Sequence, residues 1–566
     1  MLSIEHSLVE RVPWLAQYPR LRRPIADMLG RLADEQGFNR VLGRVGDAEG
    51  LVFVERVLEL LGTSYHITPH EREYIPVDGP LLVVANHPLG MQDALALLQL
   101  VGSVRPDVRM LGNDWLAVVP QLRDLLLAVD VFGNGAASRL RGIYRALDQG
   151  AALIMFPAGE VSRVRPGGVC DGAWSDGFAR LSRRSRAPVL PVHLAAHNSA
   201  WFYGLSLLAK PLSTAMLPRE AVAPGKRRIG VSIGPLISAE ELERRSTGST
   251  ERTAKLMRRH VYRVGQHRGL IFGGQAPLAH PEPPELVAAE LQQADKLADL
   301  RDGKQAWLFR GGLDSAVLRE IGRLRELTFR RVGEGTGARR DLDAYDPWYE
   351  HLVVWDPVAL RVVGAYRFGH GGRLIGEHGL AGLYTSSLFN YSPALESRLA
   401  QGMELGRSFV APAYWRSRAL DQLWQGIGLY LQRHPEVRYL FGPISMSVTL
   451  PREAREWIVA AHQHYFGAPG LAAARQPFVV SPKVVEGVRQ SLEGLDAAAG
   501  LGKLRHHLDA LGVSLPVLYR QYVDLVEPAG VQFLGFGEDP GFSGCVDGLV
   551  MLDLANLKPA KRARYL

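Results

Sequence analysis

Cysteine is nearly missing from this chain: 566 residues hold only Cys170 and Cys545, far apart and without metal-ligand spacing. That argues for two inert thiols rather than a bridge or a zinc site, and for a reducing cytoplasm. No run of about eighteen apolar residues occurs, so no transmembrane helix is expected. The start, Met1-Leu2-Ser3-Ile4-Glu5-His6, lacks the basic-then-apolar layout of a secretory signal. Zinc-finger spacing and aromatic RNP-type strands are lacking too. The net charge of +8 therefore points to an anionic membrane surface or an acidic protein before nucleic acid.

What is present is a globular balance of 47% hydrophobic and 22% charged residues. The length exceeds one core and suggests about two to four domains. Ala276 to Pro284 carries four prolines in nine residues, which forbids helix and interrupts any ladder. The expected division is an α/β chain of two domains, 1–275 and 285–566, with 276–284 as linker. Residues 1–75 show helical amphipathic periodicity, as in Ala26 to Leu32 and Val54 to Leu61.

From residue 81 the pattern alternates strand and helix. Leu81-Leu82-Val83-Val84-Ala85 reads as a buried strand and Ala94 to Leu98 as a helix. Between them lies Asn86-His87-Pro88-Leu89-Gly90-Met91-Gln92-Asp93. A neutral His at a strand end can take a proton from a hydroxyl as it attacks an acyl carbonyl. An Asp can hold the imidazole tautomer and stabilise the imidazolium. The alternative is a plain turn at His87 with Asp93 as a helix N-cap. A second strand, Ala151 to Phe156, exits into Pro157-Ala158-Gly159-Glu160-Val161-Ser162-Arg163, which offers an anion, a hydroxyl and a cation. Further strands are expected at Val189–Leu194 and Ile229–Gly234, with Gly150 ending the helix before Ala151. Trp201-Phe202-Tyr203 opens an apolar run that fits a core helix or a bilayer interface equally well.

Asn86-His87-Pro88 with Asp93, then Phe156-Pro157-Ala158-Gly159-Glu160, then Ala187-Pro188-Val189-Leu190-Pro191-Val192 together resemble the glycerolipid (lysophosphatidic-acid-type) O-acyltransferases over residues 75 to 240. The resemblance implies a thioester donor, His87 as general base and Asp93 as its partner. It places Asn86, Phe156, Pro157, Gly159, Glu160, Ser162 and Arg163 around the substrate. Five residues separate His87 from Asp93, one more than is usual in that family. Its Phe-Pro-Glu-Gly-Thr-Arg block is here Phe-Pro-Ala-Gly-Glu-Val-Ser-Arg, which displaces Arg163 from the phosphate-binding position. Glu160 near that position would repel a phosphate, so the expected acceptor lacks one, and Glu160 is expected to meet a cationic head.

The second half begins with a helical pattern through Ile321 to Arg330 and an acidic turn, Asp341-Leu342-Asp343-Ala344-Tyr345-Asp346. Two strands follow, His351–Trp355 and Val362–Arg367, joined by Asp356-Pro357. Then come Glu404-Leu405-Gly406-Arg407-Ser408-Phe409-Val410, a helix over 420–433 and a strand from Tyr439. Acidic turns and Arg-bearing strands most often form structural ion pairs. Here, however, Arg325, Phe329, Asp343, Asp346, Arg367, Glu404 and Arg407 resemble the GNAT-like branch that holds acyl-homoserine-lactone synthases and ornithine-lipid N-acyltransferases, across residues 290 to 450.

That resemblance implies a mixed-sheet domain that moves an acyl chain from acyl carrier protein to an amine. Glu404 is the candidate proton acceptor. Arg325, Phe329, Asp343, Asp346, Arg367, Arg407 and Ser408 are the candidate substrate contacts. No Gly-x-Gly phosphate loop is evident, in keeping with a carrier-protein phosphopantetheine donor, and no metal or other cofactor is expected. Both halves together resemble the bifunctional ornithine-lipid synthases. The implied activity is N-acylation of ornithine with a 3-hydroxyacyl chain, then O-acylation of the lysolipid at the inner membrane face. The rivals are a glycine or serine acceptor, a single active domain, and a hemolysin-like membrane-active protein.

Overall fold

The computed structural model describes residues 34–112, 119–128, 136–208, 213–214, 216–223 and 227–566, with Tyr18, Arg23, Pro24, Asp27 and Gly30. The helix expected over 26–32 falls largely outside the described residues. The chain divides into two compact units, 1–277 and 278–566. Both are mixed α/β structures.

Unit one opens with α1 (Glu35–Val45) and α2 (Gly50–Leu60). Its strands are β1 (Thr63–His66), β2 (Leu81–Ala85), β3 (Val108–Gly112), β4 (Leu126–Ala128), β5 (Ala152–Met155), the hairpin β6 (Arg163–Arg165) and β7 (Gly168–Cys170), β8 (Val189–Ala195) and β9 (Arg227–Ile233). Its helices continue with α3 (Met91–Gly102), α4 (Ala136–Asp148), α5 (Gly177–Ser185), α6 (Ala200–Leu208) and α7 (Thr250–Gly265). Seven strands form one sheet in the order β1-β9-β8-β2-β5-β3-β4, parallel except between β8 and β9.

The central place of β2 follows from its composition. Leu81, Val83 and Ala85 join a core with Phe53, Val57, Leu95 and Leu98, while Leu82 and Val84 join another with Phe178, Met257 and Val261. A strand covered on both faces has to be apolar on both, hence the unbroken run. Because β5, β2 and β8 are parallel neighbours, the residues after each emerge along one edge.

His260 on α7 is buried, and its Nδ1 accepts from the N–H groups of Ile271 (3.1 Å) and Phe272 (3.2 Å). Only the neutral ring has a lone pair there. Burial, aided by the Arg263 charge, brings its pKa down to about 4. In the unfolded chain a histidine titrates near about 6.5, so the unfolded state takes the proton first. This contribution to stability is full above about pH 6.5 and fades as the pH falls toward about 4. Thermal melts should show that fall, and His260→Gln, which retains an acceptor oxygen, should make it shallower without removing it, because burial brings His351 and His462 down to about 4 as well.

Unit two contains α8 (Pro284–Leu291), β10 (Asp295–Asp299), β11 (Gln305–Phe309), α9 (Ala316–Val332), β12 (Glu350–Asp356), β13 (Arg361–His370), β14 (Phe389–Tyr391), β15 (Gly402–Val410), α10 (Ala419–Arg433), β16 (Tyr439–Met446), α11 (Arg452–Phe466), β17 (Ala472–Ala474), β18 (Val531–Asp539) and β19 (Cys545–Asp553). Pro284 of the proline-rich stretch is the first residue of α8, where a missing N–H costs nothing. An eight-stranded sheet runs β10-β11-β12-β13-β15-β16-β19-β18. Helix α9 covers one face through Val317 and Ile321, and α10 and α11 cover the other through Leu423, Ile427 and Ile458.

The one parallel pair is β15 with β16. It holds only between Gly402–Glu404 and Tyr439–Phe441, and then the two strands part. At the parting point a Cβ on Gly442 would collide with the Leu405 carbonyl, so the backbones touch before they diverge.

Candidate active sites

In unit one the chain leaves β2 at Asn86. Its Nδ2 donates to the Leu194 carbonyl (2.9 Å) and its Oδ1 accepts from the Leu194 N–H (2.7 Å). The side chain extends the β2–β8 ladder by one more rung. Asn86 is 3% exposed, so its expected contact with substrate gives way to this holding role. Asn86→Ala would leave both Leu194 groups unpaired and is expected to cost about 1–3 kcal/mol, read by chemical denaturation.

His87 stacks on Phe156, with ring centroids 4.0 Å apart and planes at 27°. Its Nδ1 lies 3.3 Å from Asp93 Oδ2, and the two side chains are 18% and 0% exposed. The same Oδ2 accepts from the N–H groups of Leu89 (2.6 Å) and Gly90 (3.1 Å). Asp93 occupies the third position of α3 and reaches back to its start. Turn-closing and imidazole-facing roles thus belong to one carboxylate. Gly90, at φ 96°, lets the chain curl tightly enough to absorb the additional residue between His87 and Asp93. With Nδ1 turned to Asp93, Nε2 is the nitrogen left for a substrate hydroxyl.

The second block is more occupied than its spelling suggests. The Ser162 N–H donates to the His87 carbonyl (2.7 Å), and its hydroxyl donates to Asp171. Arg163 donates to the hydroxyls of Ser206 (2.6 Å), Ser213 (2.7 Å) and Thr214 (3.0 Å). Glu160 lies 3.5 Å from Arg163 Nε and 3.7 Å from Arg165 Nη2. Its charge is already met by two guanidinium groups, which corrects the expectation that it receives a cationic head. Ser162 and Arg163 likewise hold the loop together. Pro157 is buried and accepts from the Ser175 N–H (2.9 Å), whereas Gly159, at φ 65°, forms the exposed tip of the turn.

Asp171 had no signal in the sequence. It is buried in the loop after β7 and accepts from the His87 N–H (3.3 Å), the Ser162 hydroxyl and Trp174 Nε1 (2.9 Å). One carboxylate thereby ties the His87 turn to the second block.

In unit two the acidic turn meets three arginines. Arg325 donates to Asp346 Oδ1 (2.7 Å), and Arg367 donates to Asp343 Oδ1 (2.6 Å) and lies 3.2 Å from Asp346 Oδ1. Arg407 stands 3.5 Å from Asp341 and 3.7 Å from Asp343. Burial works to raise Asp346, but Arg325 and Arg367 outweigh it and hold the carboxyl far below its usual range. Arg325 and Asp346 are both 0% exposed, so they form a sealed pair rather than a surface for substrate. Phe329 is also removed from substrate, buried edge-on against Phe542 at 5.0 Å.

Arg407 has φ 50° and sits in a bulge where Arg407 and Ser408 together oppose Tyr366. Holding a non-glycine residue there costs on the order of 1 kcal/mol. The bulge aims Arg407 at the side where Arg367 lies: each guanidinium carbon is 4.9 Å from the Tyr384 ring centroid. Ser408 instead hydrogen-bonds Tyr366 on the other face.

Glu404 is buried, and burial raises its pKa. It accepts from the Thr385 N–H (2.7 Å) and hydroxyl (2.5 Å), the Tyr384 N–H (3.0 Å) and the Tyr349 hydroxyl. Four donors use all its lone pairs. The expected proton acceptor is an anchor for the Tyr384–Thr385 turn, which no spacing in the sequence foretold.

Two folds and two charged centres of this kind define a tandem of transferase domains. An acyltransferase family model matches residues 6–267, and an acetyltransferase (GNAT) domain model matches residues 324–425. The chain is 32% identical to a glycine N(alpha)-acyltransferase of Phocaeicola vulgatus, over 44% of this chain and 80% of that protein. It is 30% identical to a lyso-glycine lipid O-acyltransferase of the same organism, over 35% of this chain and 70% of that protein. An L-ornithine N(alpha)-acyltransferase of Brucella abortus is also 30% identical, over 30% of this chain and 73% of that protein. The chain belongs to the acyltransferases of amino-acid lipids.

Proposed function

We propose that this chain makes ornithine lipid in two steps. The carboxy-terminal unit N-acylates ornithine with a 3-hydroxyacyl chain from acyl carrier protein, and the amino-terminal unit O-acylates the 3-hydroxyl of the product. The observation that supports the two steps is the likeness of one chain to both an N-acyltransferase and a lysolipid O-acyltransferase that are separate proteins in one organism, and ornithine as acceptor rests on the likeness to the L-ornithine N(alpha)-acyltransferase of Brucella abortus. Joining the two raises the effective concentration of the intermediate.

In the first step the amine nitrogen attacks the thioester carbonyl, loses a proton, and the carrier thiol departs. Arg407 and Arg367 supply cationic donors for the amino acid's carboxylate. Where β15 and β16 part, their unpaired backbone groups offer partners for the amides of a phosphopantetheine arm. Glu404 acts here as a positioning residue. In the second step His87 Nε2 takes the hydroxyl proton as the oxygen attacks a second thioester. The imidazolium, stabilised by Asp93, returns that proton to the departing thiolate.

Both products are lipids, which suits work at the inner membrane face. Among the described residues no helix is long and apolar enough to cross a membrane. Helix α6, whose Ser206 helps to hold Arg163, exposes Trp201 and Leu207, side chains suited to an interface. A glycine acceptor is the second reading, favoured by the relative at 32% identity. The test is mass spectrometry of lipids from a host without amino-acid lipids that expresses the full chain and is fed ornithine or glycine. Ornithine lipid is the expected product, and glycine lipid alone would replace ornithine with the second reading.

A further inference from the structure

Successive peptide units carry the chain from Asn86 to Leu89, and each is pinned from a different element. The Asn86–His87 peptide is held at its N–H by Asp171 (3.3 Å). The His87–Pro88 peptide is held at its carbonyl by the Ser162 N–H (2.7 Å). The Pro88–Leu89 peptide is held at both edges. Its carbonyl accepts from Asn198 Nδ2 (3.0 Å), and its N–H donates to Asp93 Oδ2 (2.6 Å). That oxygen is the one 3.3 Å from His87 Nδ1. Asn198 and Asp93 therefore grip opposite edges of one rigid plane.

Asn198 lies between β8 and α6 and is 6% exposed. Its Oδ1 accepts from Arg227 Nη1 (3.4 Å), and its N–H donates to the Tyr203 hydroxyl (3.1 Å). A guanidinium can only donate, so the atom facing it is the amide oxygen, and the amide nitrogen is turned to Pro88. Arg227, the first residue of β9, is fixed in turn by Glu220 Oε2 (3.2 Å) and Gln92 Oε1 (3.1 Å). Gln92 is the neighbour of Asp93 on α3, and its own amide donates to the Thr63 hydroxyl (3.1 Å) and the Ala221 carbonyl (3.1 Å). One buried polar frame thus reaches the turn after His87 and the residue beside Asp93. Such a network, with its members satisfied, specifies one arrangement where an apolar filling would tolerate several.

We propose that Asn198 is a positioning residue for the second acylation. Through the Pro88–Leu89 peptide it sets where Asp93 Oδ2 stands against His87 Nδ1, and so where Nε2 is aimed. This rests on the reading of His87 as the base of the amino-terminal unit. Asn198 acts through the turn and not on the acyl group. Without its bond the Pro88–Leu89 plane can tilt, the carboxylate follows the plane, and the imidazole loses its fixed partner. A misplacement of about 1 Å at the reacting atoms costs on the order of 100-fold in rate.

The test measures O-acylation by the full chain, with lyso-ornithine lipid and lyso-glycine lipid offered separately in detergent micelles and an acyl carrier protein thioester as donor. Asn198→Asp keeps the shape and an oxygen for Arg227 but cannot donate to Pro88. Asn198→Ala loses both contacts. Each is expected to lower kcat about 10- to 100-fold and to leave KM for lysolipid and thioester within about twofold, because an interaction felt only in the transition state moves kcat alone. The melting temperature of Asn198→Asp should stay near that of the wild type. A support role through Arg227 would instead weaken Asn198→Ala and spare Asn198→Asp. That pattern, or a loss confined to KM, overturns the positioning role and leaves His87 as the base. Asn198→Ala, which buries no new charge, carries the test if the aspartate variant does not fold, and an undiminished kcat there overturns the role as well. A wild type that acylates neither lysolipid overturns the O-acyltransferase reading itself, and the positioning role with it.

Discussion

His87→Ala should halt the second acylation and leave the first intact. Lysolipid should accumulate, and the diacylated product should fall about 100- to 10,000-fold, the usual contribution of a positioned base. Asp93→Asn separates the two duties of that side chain. Its amide oxygen still accepts from Leu89 and Gly90, so the start of α3 should survive. The anion that stabilises the imidazolium is lost, so activity should fall without a matching loss of stability. Product ratios by mass spectrometry, with melting temperatures of each variant, check both. Undiminished diacyl product from His87→Ala would remove His87 from the chemistry.

Arg325→Met should be the most destabilising change in unit two. Arg325 and Asp346 are fully buried, and Arg325 Nη2 also lies 3.2 Å from His351 Nδ1. Without the guanidinium, Asp346 keeps Arg367 as its one arginine and the Asp343 N–H (2.8 Å) as a donor, and its charge is poorly compensated. Breaking a buried pair from one side typically costs about 3–5 kcal/mol. Chemical denaturation followed by tryptophan fluorescence would measure it. Adding Asp346→Leu should recover part of the loss, because the second charge is then gone as well. A cost below about 1 kcal/mol for the single change would mean that the pair behaves like a surface bridge.

The sheet positions of both sites were readable because they depend on local composition. The unbroken apolar run of β2 requires cover on both faces, and the glycines and prolines around it mark where chains turn. Which charges are already satisfied was not readable. Glu160 looked available until Arg163 and Arg165 were found beside it, and Glu404 until Tyr349, Tyr384 and Thr385 filled it. Those donors come from loops without periodicity, brought in by the packing of other elements. Asp171 is 84 residues from the His87 amide it binds, so spacing could not pair them. The bulge at Arg407 was equally silent, since an arginine at φ 50° gives none of the warning that a glycine would.

The contact of Gly442 with Leu405 gives the parted strands a fixed pivot. Beyond a pivot, the gap at every later residue depends on one angle. A side chain introduced at Gly442 would therefore open the whole cleft at once, as a wedge at the hinge end opens a door. Substitutions further along β16 would alter single contacts and leave that angle alone. Gly442 thus sets how far the two strands part, whereas Ile444 to Met446 act only at their own places along the gap.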